Sequence, residues 1–184
     1  MSLSMTAPMR SLKEFKGANM KWTQPKALVR QYELRSGPDL YATLTWVKTF
    51  GTLAEARTAD GRFTLKRGGF LRPFVSIRDA LLDSEVAVLK MGLLGHGTLE
   101  FTNGRRITLL STRFWSFEWD MVDEGGQPLG KVCKRVTMFK DSADVTISEV
   151  VRRDRDLMLM LLASWYTMKL MSDEAAAAGA AGAS

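Results

Sequence analysis

The residues with the clearest chemistry are five bases between residues 62 and 78, a stretch that holds no acidic residue. They are Arg62, Lys66, Arg67, Arg72 and Arg78. Arginine binds phosphate oxygens through paired hydrogen bonds, and the glycine pair at 68 and 69 lets backbone amides approach an anion. The stretch therefore predicts a site for an anionic ligand, either a lipid headgroup or a phosphorylated molecule.

Strand alternation within this stretch decides where its bases point. It sends Arg62 and Lys66 outward, while Arg67 follows Phe63 inward unless the glycines reset the register. The alternative interpretation is an ordinary basic outer face that serves solubility only.

Three further residues are of types that can take part in catalysis, but their sequence surroundings do not favour a catalytic role. Glu118 and Asp120 lie two apart on a predicted strand, so both project from one face, as a carboxylate pair requires. That face is opposite an aromatic one and is expected to meet water. His96 lies between two glycines and has no Ser or Cys motif to activate, which is typical of a turn residue. The sequence therefore predicts binding rather than catalysis.

Cysteine and histidine counts limit the cofactors that the chain can hold. Cys133 is the only cysteine and His96 the only histidine. Clusters for zinc, haem or iron–sulfur centres need several such ligands, so we expect no cofactor of these kinds, and no internal disulfide can form. A reducing cytoplasm is the expected setting.

The charge balance bears on the class of partner. Lysine and arginine total 26 against 20 acids, which gives a net charge of +6, and the pI is about 9.6. This balance favours anionic partners, although it also serves solubility. Nucleic acid is disfavoured, because Trp115, Phe117 and Trp119 share one strand face with no interleaved bases and are expected in the core.

Alternating segments predict about ten short strands at even spacing, which is typical of a sandwich or barrel. The clearest runs are Leu40–Trp46 and Phe114–Met121, and Asp60-Gly61 and Asn103-Gly104 are hairpin signals. The other predicted strands are Ala27–Arg35, Thr52–Thr58, Arg62–Arg67, Phe70–Arg78, Glu85–Met91, Thr98–Phe101, Arg105–Thr112, Leu129–Phe139 and Val145–Val151.

The last element is a predicted helix over about 155–172 that is apolar on every side. Its apolar run, Leu157–Met171, is shorter than the roughly 20 residues that a membrane span needs. Such a helix must be surrounded, so we expect it inside the barrel. The predicted organisation is a flexible segment over 1–20 without a secretory signal, one barrel domain over 21–173, and a disordered Ala/Gly-rich tail over 174–184.

Several segments carry a resemblance to a known fold: Leu40–Leu44, Asp60–Phe70, Phe114-Trp115 with Trp119, and Leu161–Tyr166. The chain resembles the tubby C-terminal-like fold, which tubby proteins, phospholipid scramblases and plant LURP-one-related proteins share, and is most similar to uncharacterised bacterial relatives. The resemblance implies a closed antiparallel barrel of ten to twelve strands around a buried C-terminal helix. Tubby domains bind phosphoinositide headgroups and scramblases are linked to calcium-dependent lipid movement, but neither site has a residue-by-residue counterpart here.

Three hypotheses follow from the sequence. The leading one is a non-enzymatic module that recognises an anionic ligand or a phospholipid headgroup through its basic outer face, in the cytoplasm and peripheral to the membrane. The second is a structural or protein-interaction domain. The third is a scramblase-like protein with Leu157–Met171 inserted in lipid, although one cysteine does not match the cysteine-rich segments of that family.

Overall fold

The computed structural model describes residues 8–92, 95–113, 116–135 and 140–181. These residues form twelve strands, one long helix and two single 3-10 turns at Leu12–Glu14 and Glu149–Val151. The elements are β1 (Asn19–Thr23), β2 (Gln31–Ser36), β3 (Asp39–Trp46), β4 (Ala54–Thr58), β5 (Gly61–Gly68), β6 (Phe74–Asp79), β7 (Ser84–Met91), β8 (Gly97–Phe101), β9 (Arg106–Arg113), β10 (Ser116–Asp123), β11 (Pro128–Arg135), β12 (Ser142–Ile147) and α1 (Leu157–Ala181).

The strands close into one antiparallel barrel. Each strand pairs with its neighbours along the chain, and β1 pairs with β12, with Met20 opposite Val145. Closure satisfies the backbone groups that an open sheet would leave at its edges. The prediction of a mostly β, closed antiparallel barrel is therefore confirmed.

The helix α1 runs through the interior of this barrel. All residues from Met160 to Leu170 are buried. On one side Trp165 stacks on Trp22, with ring centroids 6.1 Å apart, and Tyr166 stacks on Trp46 at 5.3 Å. On other sides the helix contacts β6, β10 and β11. A helix without a polar face needs such an enclosure.

Antiparallel connections alternate between the two ends of the barrel, and we name the ends by the path of α1. The entry end holds residues 148–156, which precede the helix. The exit end holds the connections 24–30, 47–53, 69–73 and 140–141, the described residues 92 and 95–96 between β7 and β8, and the last turns of α1. The two ends differ in charge and apolar exposure, as described below.

Alternation predicted the inward faces well where strands are regular. Ala42, Leu44 and Trp46 are buried in the core, as are Trp119 and Met121. The other predicted core aromatics of this region, Trp115 and the side chain of Phe117, lie outside the described residues. Phe114, predicted on the opposite face, and residues 136–139 of the strand predicted over Leu129–Phe139 lie outside them too.

Two predicted strands begin later than the alternation suggested. Ala27–Arg30 is a turn in which Leu28 has φ of 65°, so β2 begins at Gln31. Residues 69–73 are a loop, and β6 begins at Phe74, because Gly69 takes φ of 74° and Pro73 lacks a backbone donor. Val145–Val151 is also shorter as a strand, since Glu149–Val151 is a 3-10 turn. Leu28 and Phe70, predicted in strands, therefore lie in loops.

Within the segment predicted to be flexible over 1–20, the described residues from 8 onward take part in the fold. The strand β1 begins at Asn19, and Leu12 and Phe15 are buried. Phe15 packs edge-on against Tyr41, with centroids 5.6 Å apart, and covers a tyrosine on the outer wall. The strand β1 was not predicted from the sequence.

The helix is longer than the predicted 155–172. It begins at Leu157 and ends at Ala181, so the segment from 174, predicted as a disordered tail, continues the helix as far as it is described. Alanine has the highest helix propensity, and Gly179 costs only about 1 kcal/mol. Among the described helices, none has the length and hydropathy needed to cross a membrane.

Candidate functional site

Three neighbouring loops at the exit end each project one large apolar side chain into water. They connect β1 to β2, β3 to β4 and β5 to β6, which are consecutive in the barrel. Leu28, Phe50 and Phe70 have relative exposures of 97%, 102% and 97%. We call these three residues the rim tips. Leu71, beside Phe70, is also exposed.

Each rim tip has a base two residues away in the chain. Lys26 precedes Leu28, Lys48 precedes Phe50, and Arg72 follows Phe70. We call Lys26, Lys48 and Arg72 the rim bases. All three are exposed, and none forms an ion pair with an acid in the part of the chain that the structure describes. Their charges are thus available to a partner outside the protein.

The two ends of the barrel differ in charge. Over the described residues outside the strands, the exit end has six bases and three acids: Lys26, Arg30, Lys48, Arg72, Lys140 and Lys169 against Asp141, Asp173 and Glu174. The entry end has seven of each: Arg10, Lys13, Lys16, Arg105, Arg152, Arg153 and Arg155 against Glu14, Asp60, Asp83, Glu124, Glu149, Asp154 and Asp156. The basic excess outside the strands is therefore concentrated at the exit end.

An ion-pair network ties the exit end to α1. Lys169 lies 3.0 Å from Asp141 (Nζ to Oδ2) and also pairs with Asp173 one turn further along the helix. Lys134 pairs with the other oxygen of Asp141 at 3.1 Å. Burial opposes ionisation of Asp141, but the two lysines outweigh it and lower its pKa. We call this network, with Arg30, the latch.

Arg30 joins the first two loops to the helix. Its Nη2 lies 2.8 Å from Asp173 Oδ2, and its Nη1 donates to the carbonyls of Thr49 and Gly51 at 2.9 and 3.2 Å. The guanidinium also lies 4.6 Å from the ring centroid of Trp46, a cation–π distance. One side chain thus holds the backbone on both sides of Phe50.

Gln24 fixes the loop that carries Leu28. Its Nε2 donates to the carbonyl of Val29 at 2.8 Å, and its Oε1 accepts from the amide of Asp141 at 2.9 Å. Leu28 lies between Gln24 and Val29, which the first of these hydrogen bonds joins. The backbone, rather than contacts of the Leu28 side chain, therefore holds that side chain outward.

The third loop is shaped by its own glycines. A Cβ on Gly69 would come within 2.2 Å of the carbonyl oxygen of Arg72, and one on Gly68 within 2.6 Å of the Phe74 ring. The space beside both glycines is therefore filled by the loop itself. The tight turn explains these glycines without an anion beside them.

A tyrosine of α1 connects the second and third loops. The hydroxyl of Tyr166 accepts from the amide of Arg67 at 3.0 Å and donates to the carbonyl of Thr52. Burial raises the pKa of Tyr166 to about 12, so the phenol keeps its donor proton at neutral pH. Arg67 also pairs with Glu174 on the helix.

A cleft of about 640 Å³ lies at the exit end between the first two loops and the helix. Its charged lining is balanced, with Arg30, Lys140 and Lys169 against Asp141, Asp173 and Glu174. Tyr32 lines it, and the buried hydroxyl of Tyr32 makes no hydrogen bond within the described structure. The balanced lining indicates a structural latch more than a site for a charged ligand.

The five predicted anion-site residues do not converge on one site. Arg62 and Lys66 point outward from β5, as predicted, and Arg67 turns inward to Glu174. Arg78 on β6 pairs with Asp83 at 3.1 Å. Only Arg72 lies among the rim bases.

The other residues considered for chemistry have structural partners. Lys131 bridges Glu118 and Asp120, with distances of 2.7 and 3.5 Å. His96 accepts from the amide of Ser111 at Nδ1, at 3.2 Å. In the described ranges, no group of three or more His, Cys, Asp or Glu side chains is placed to hold a metal ion.

Sequence reasoning missed two rim bases and misplaced two rim tips. Lys26 and Lys48 lie outside the basic stretch over 62–78, and Leu28 and Phe70 were assigned to strands. The available signal was an apolar residue within a turn-rich segment that also holds a base, as in Pro25-Lys26-Ala27-Leu28. Comparison with protein-family models, with curated proteins and with solved structures finds no match to this chain.

Proposed function

We propose that this protein is a non-enzymatic binding module that attaches to anionic phospholipid surfaces through the exit end of its barrel. The observation that carries the proposal is the set of three rim bases, Lys26, Lys48 and Arg72, unpaired with acids among the described residues and placed on adjacent loops. A base near an anionic membrane contributes about 1 kcal/mol to binding.

The spacing of the rim bases favours a surface over a single small anion. Neighbouring exit-end loops are two strands apart, which is roughly 10 Å, so the three bases extend over roughly 20 Å. One phosphate group cannot contact all three bases at this spacing. A plane of headgroups offers an anion to each.

The proposal moves the binding surface away from the outer face that the sequence indicated. Arg62 lies toward the entry end, opposite Arg57 on β4, and Asp83 neutralises Arg78. The resemblance to tubby-like proteins supports a lipid partner, because tubby domains bind phosphoinositide headgroups. A cytoplasmic location at the membrane surface is part of the same proposal.

Co-sedimentation with vesicles over a salt series tests the proposal. The test variant is K26E/K48E/R72E. The matched control is K16E/R62E/R153E, which makes the same charge change at exposed entry-end positions that form no ion pair in the described ranges. We expect the rim variant to lose about a hundredfold in affinity for phosphatidylserine vesicles, because three contributions of about 1 kcal/mol are lost.

The control variant should bind nearly as well as the wild type. Equal losses in the two variants would show that only net charge matters and would overturn the assignment to the exit end. Failure of the wild-type protein to bind any anionic vesicle would favour the alternative of a protein-interaction domain.

A further inference from the structure

We infer that the rim tips Leu28, Phe50 and Phe70 insert into the bilayer, so that the barrel stands end-on with α1 directed toward the membrane. This inference rests on the proposed function and adds an apolar contribution to it. The two contributions come from different residues, so they can be separated by experiment.

The rim tips are highly exposed for large apolar side chains. A large apolar side chain at the surface usually lies flat against its neighbours, whereas the three rim tips are almost wholly in water. Val29, Val47 and Leu71 add further exposed apolar surface on the same loops. A concentration of this kind at one end of a molecule marks an interaction site.

The rim tips and the rim bases occur together in each of the three loops. Each rim tip is two residues from a rim base, so apolar and cationic groups alternate along the exit end. Surfaces that lie in a membrane interface combine these features: apolar groups enter the acyl boundary, and lysine or arginine remains at the headgroups. A protein partner would not require unpaired bases beside every tip, so this pattern favours lipid.

The loops that carry the rim tips are preorganised. Arg30, Gln24 and Tyr166 hold the loop backbones that carry Leu28 and Phe50, and the glycine turn holds the loop that carries Phe70. Fixed loops lose little conformational freedom on binding, which increases the net gain from insertion.

The entry end offers a matched comparison. Leu81, Leu82 and Val150 are exposed there. The bases and acids of that end balance, and Asp79 caps the turn by accepting from the amides of Leu81 and Leu82 at 2.8 and 3.0 Å. Exposed apolar side chains without excess positive charge do not favour binding to an anionic membrane.

The experiment compares L28S/F50S/F70S with the matched control L81S/L82S/V150S. Binding is measured with vesicles of phosphatidylcholine and phosphatidylserine at low and high salt, and far-UV circular dichroism checks the fold of both variants. Full burial of one such side chain strengthens binding by about tenfold or more. We therefore expect the tip variant to lose at least about a hundredfold at high salt, while the control binds like the wild type.

A second measurement reports insertion directly. A polarity-sensitive fluorophore is attached to the substituted cysteine of F50C/C133S and, as a control, of L81C/C133S. We expect vesicles with nitroxide-labelled acyl chains to quench the label at position 50 and leave the label at position 81 unchanged.

The outcomes separate the two proposals. If the tip variant binds like the wild type, or the label at position 50 stays in water, insertion is wrong, while a loss in K26E/K48E/R72E would still support headgroup binding. If neither set of variants affects binding, both proposals are wrong. Self-association of the wild type without lipid that the tip variant abolishes would instead assign the tips to a second copy of the chain and overturn insertion.

Discussion

Arg30, in the loop after β1, forms an ion pair with Asp173 near the end of the described helix, with Nη2 and Oδ2 2.8 Å apart. The two residues are 143 positions apart in the chain. Their contact joins the loop that carries Leu28 to the helix that fills the barrel. The position of the rim tips therefore depends on the packing of the core.

Removal of the ion pair between Arg30 and Asp173 should lower the stability of the fold. Asp173→Ala leaves the largely buried Arg30 without its acid, which we expect to lower the free energy of unfolding by about 1–3 kcal/mol. Urea denaturation measures the change. Glu149→Ala, which removes an exposed acid paired with Arg152, is the control and should cost less than about 1 kcal/mol. Equal costs in the two variants would contradict a stabilising role of the latch.

Trp165 should be the most sensitive position of the helix. It stacks on Trp22 and meets Tyr32 edge-on, with centroids 5.4 Å apart, so Trp165→Ala opens a cavity in the aromatic core. We expect a loss of about 3–5 kcal/mol and a weaker near-UV circular dichroism signal. Phe50→Ala, on an exposed side chain, should change stability by less than about 0.5 kcal/mol. A mild effect at Trp165 would indicate that the helix is not enclosed.

The entry end should contribute stability that is lost in acid. Arg105 lies 2.6 Å from Asp154 (Nη2 to Oδ2), and although burial opposes ionisation, this contact lowers the pKa of Asp154. The unfolded chain then takes up the proton first as the pH falls. The stabilisation is complete above the unfolded pKa of about 3.9 and is lost as the pH falls through the folded value.

Urea denaturation of the wild type and of Arg105→Leu over a pH series tests this sign. We expect the difference in unfolding free energy between the two proteins to shrink below about pH 4. A difference that stays constant through this range would show that Asp154 does not titrate against Arg105.

Gly69 should tolerate substitution less well than another glycine of positive φ. Gly104→Ala meets no atom within 4 Å, so only its φ of 87° is unfavourable, at about 1 kcal/mol. Gly69→Ala adds a clash with the carbonyl of Arg72. We expect a larger fall in melting temperature and, because the loop carries Phe70, weaker vesicle binding. If the melting temperatures of the two variants fall equally, the loop relaxes around the new methyl group.

Much of the fold could be predicted from local patterns. Leu40–Trp46 alternates with period two, and the segment Leu157–Met171 is apolar on all sides, so an enclosing barrel followed from the need to bury both. The errors occurred where local pattern and backbone conformation disagree. Leu28 continues an apparent alternation, but its positive φ places it in a turn.

The candidate site was less accessible to sequence reasoning. Five bases between residues 62 and 78 suggested one site. In the barrel they lie at opposite ends and on different faces, because Arg62 lies at the start of β5 and Arg72 in the loop that follows it. Lys26 and Lys48 looked unremarkable because both lie outside the acid-free basic stretch over 62–78. Only their position on neighbouring loops unites them with Arg72.

By itself, the sequence determined the type of element, the inward faces of regular strands and the enclosure of the helix, because these depend on side-chain periodicity and on the cost of exposing apolar surface. The tertiary structure alone decided which loops share an end and which bases remain unpaired. Those relationships depend on barrel closure and on contacts such as that between Arg30 and Asp173, which join residues far apart in the chain.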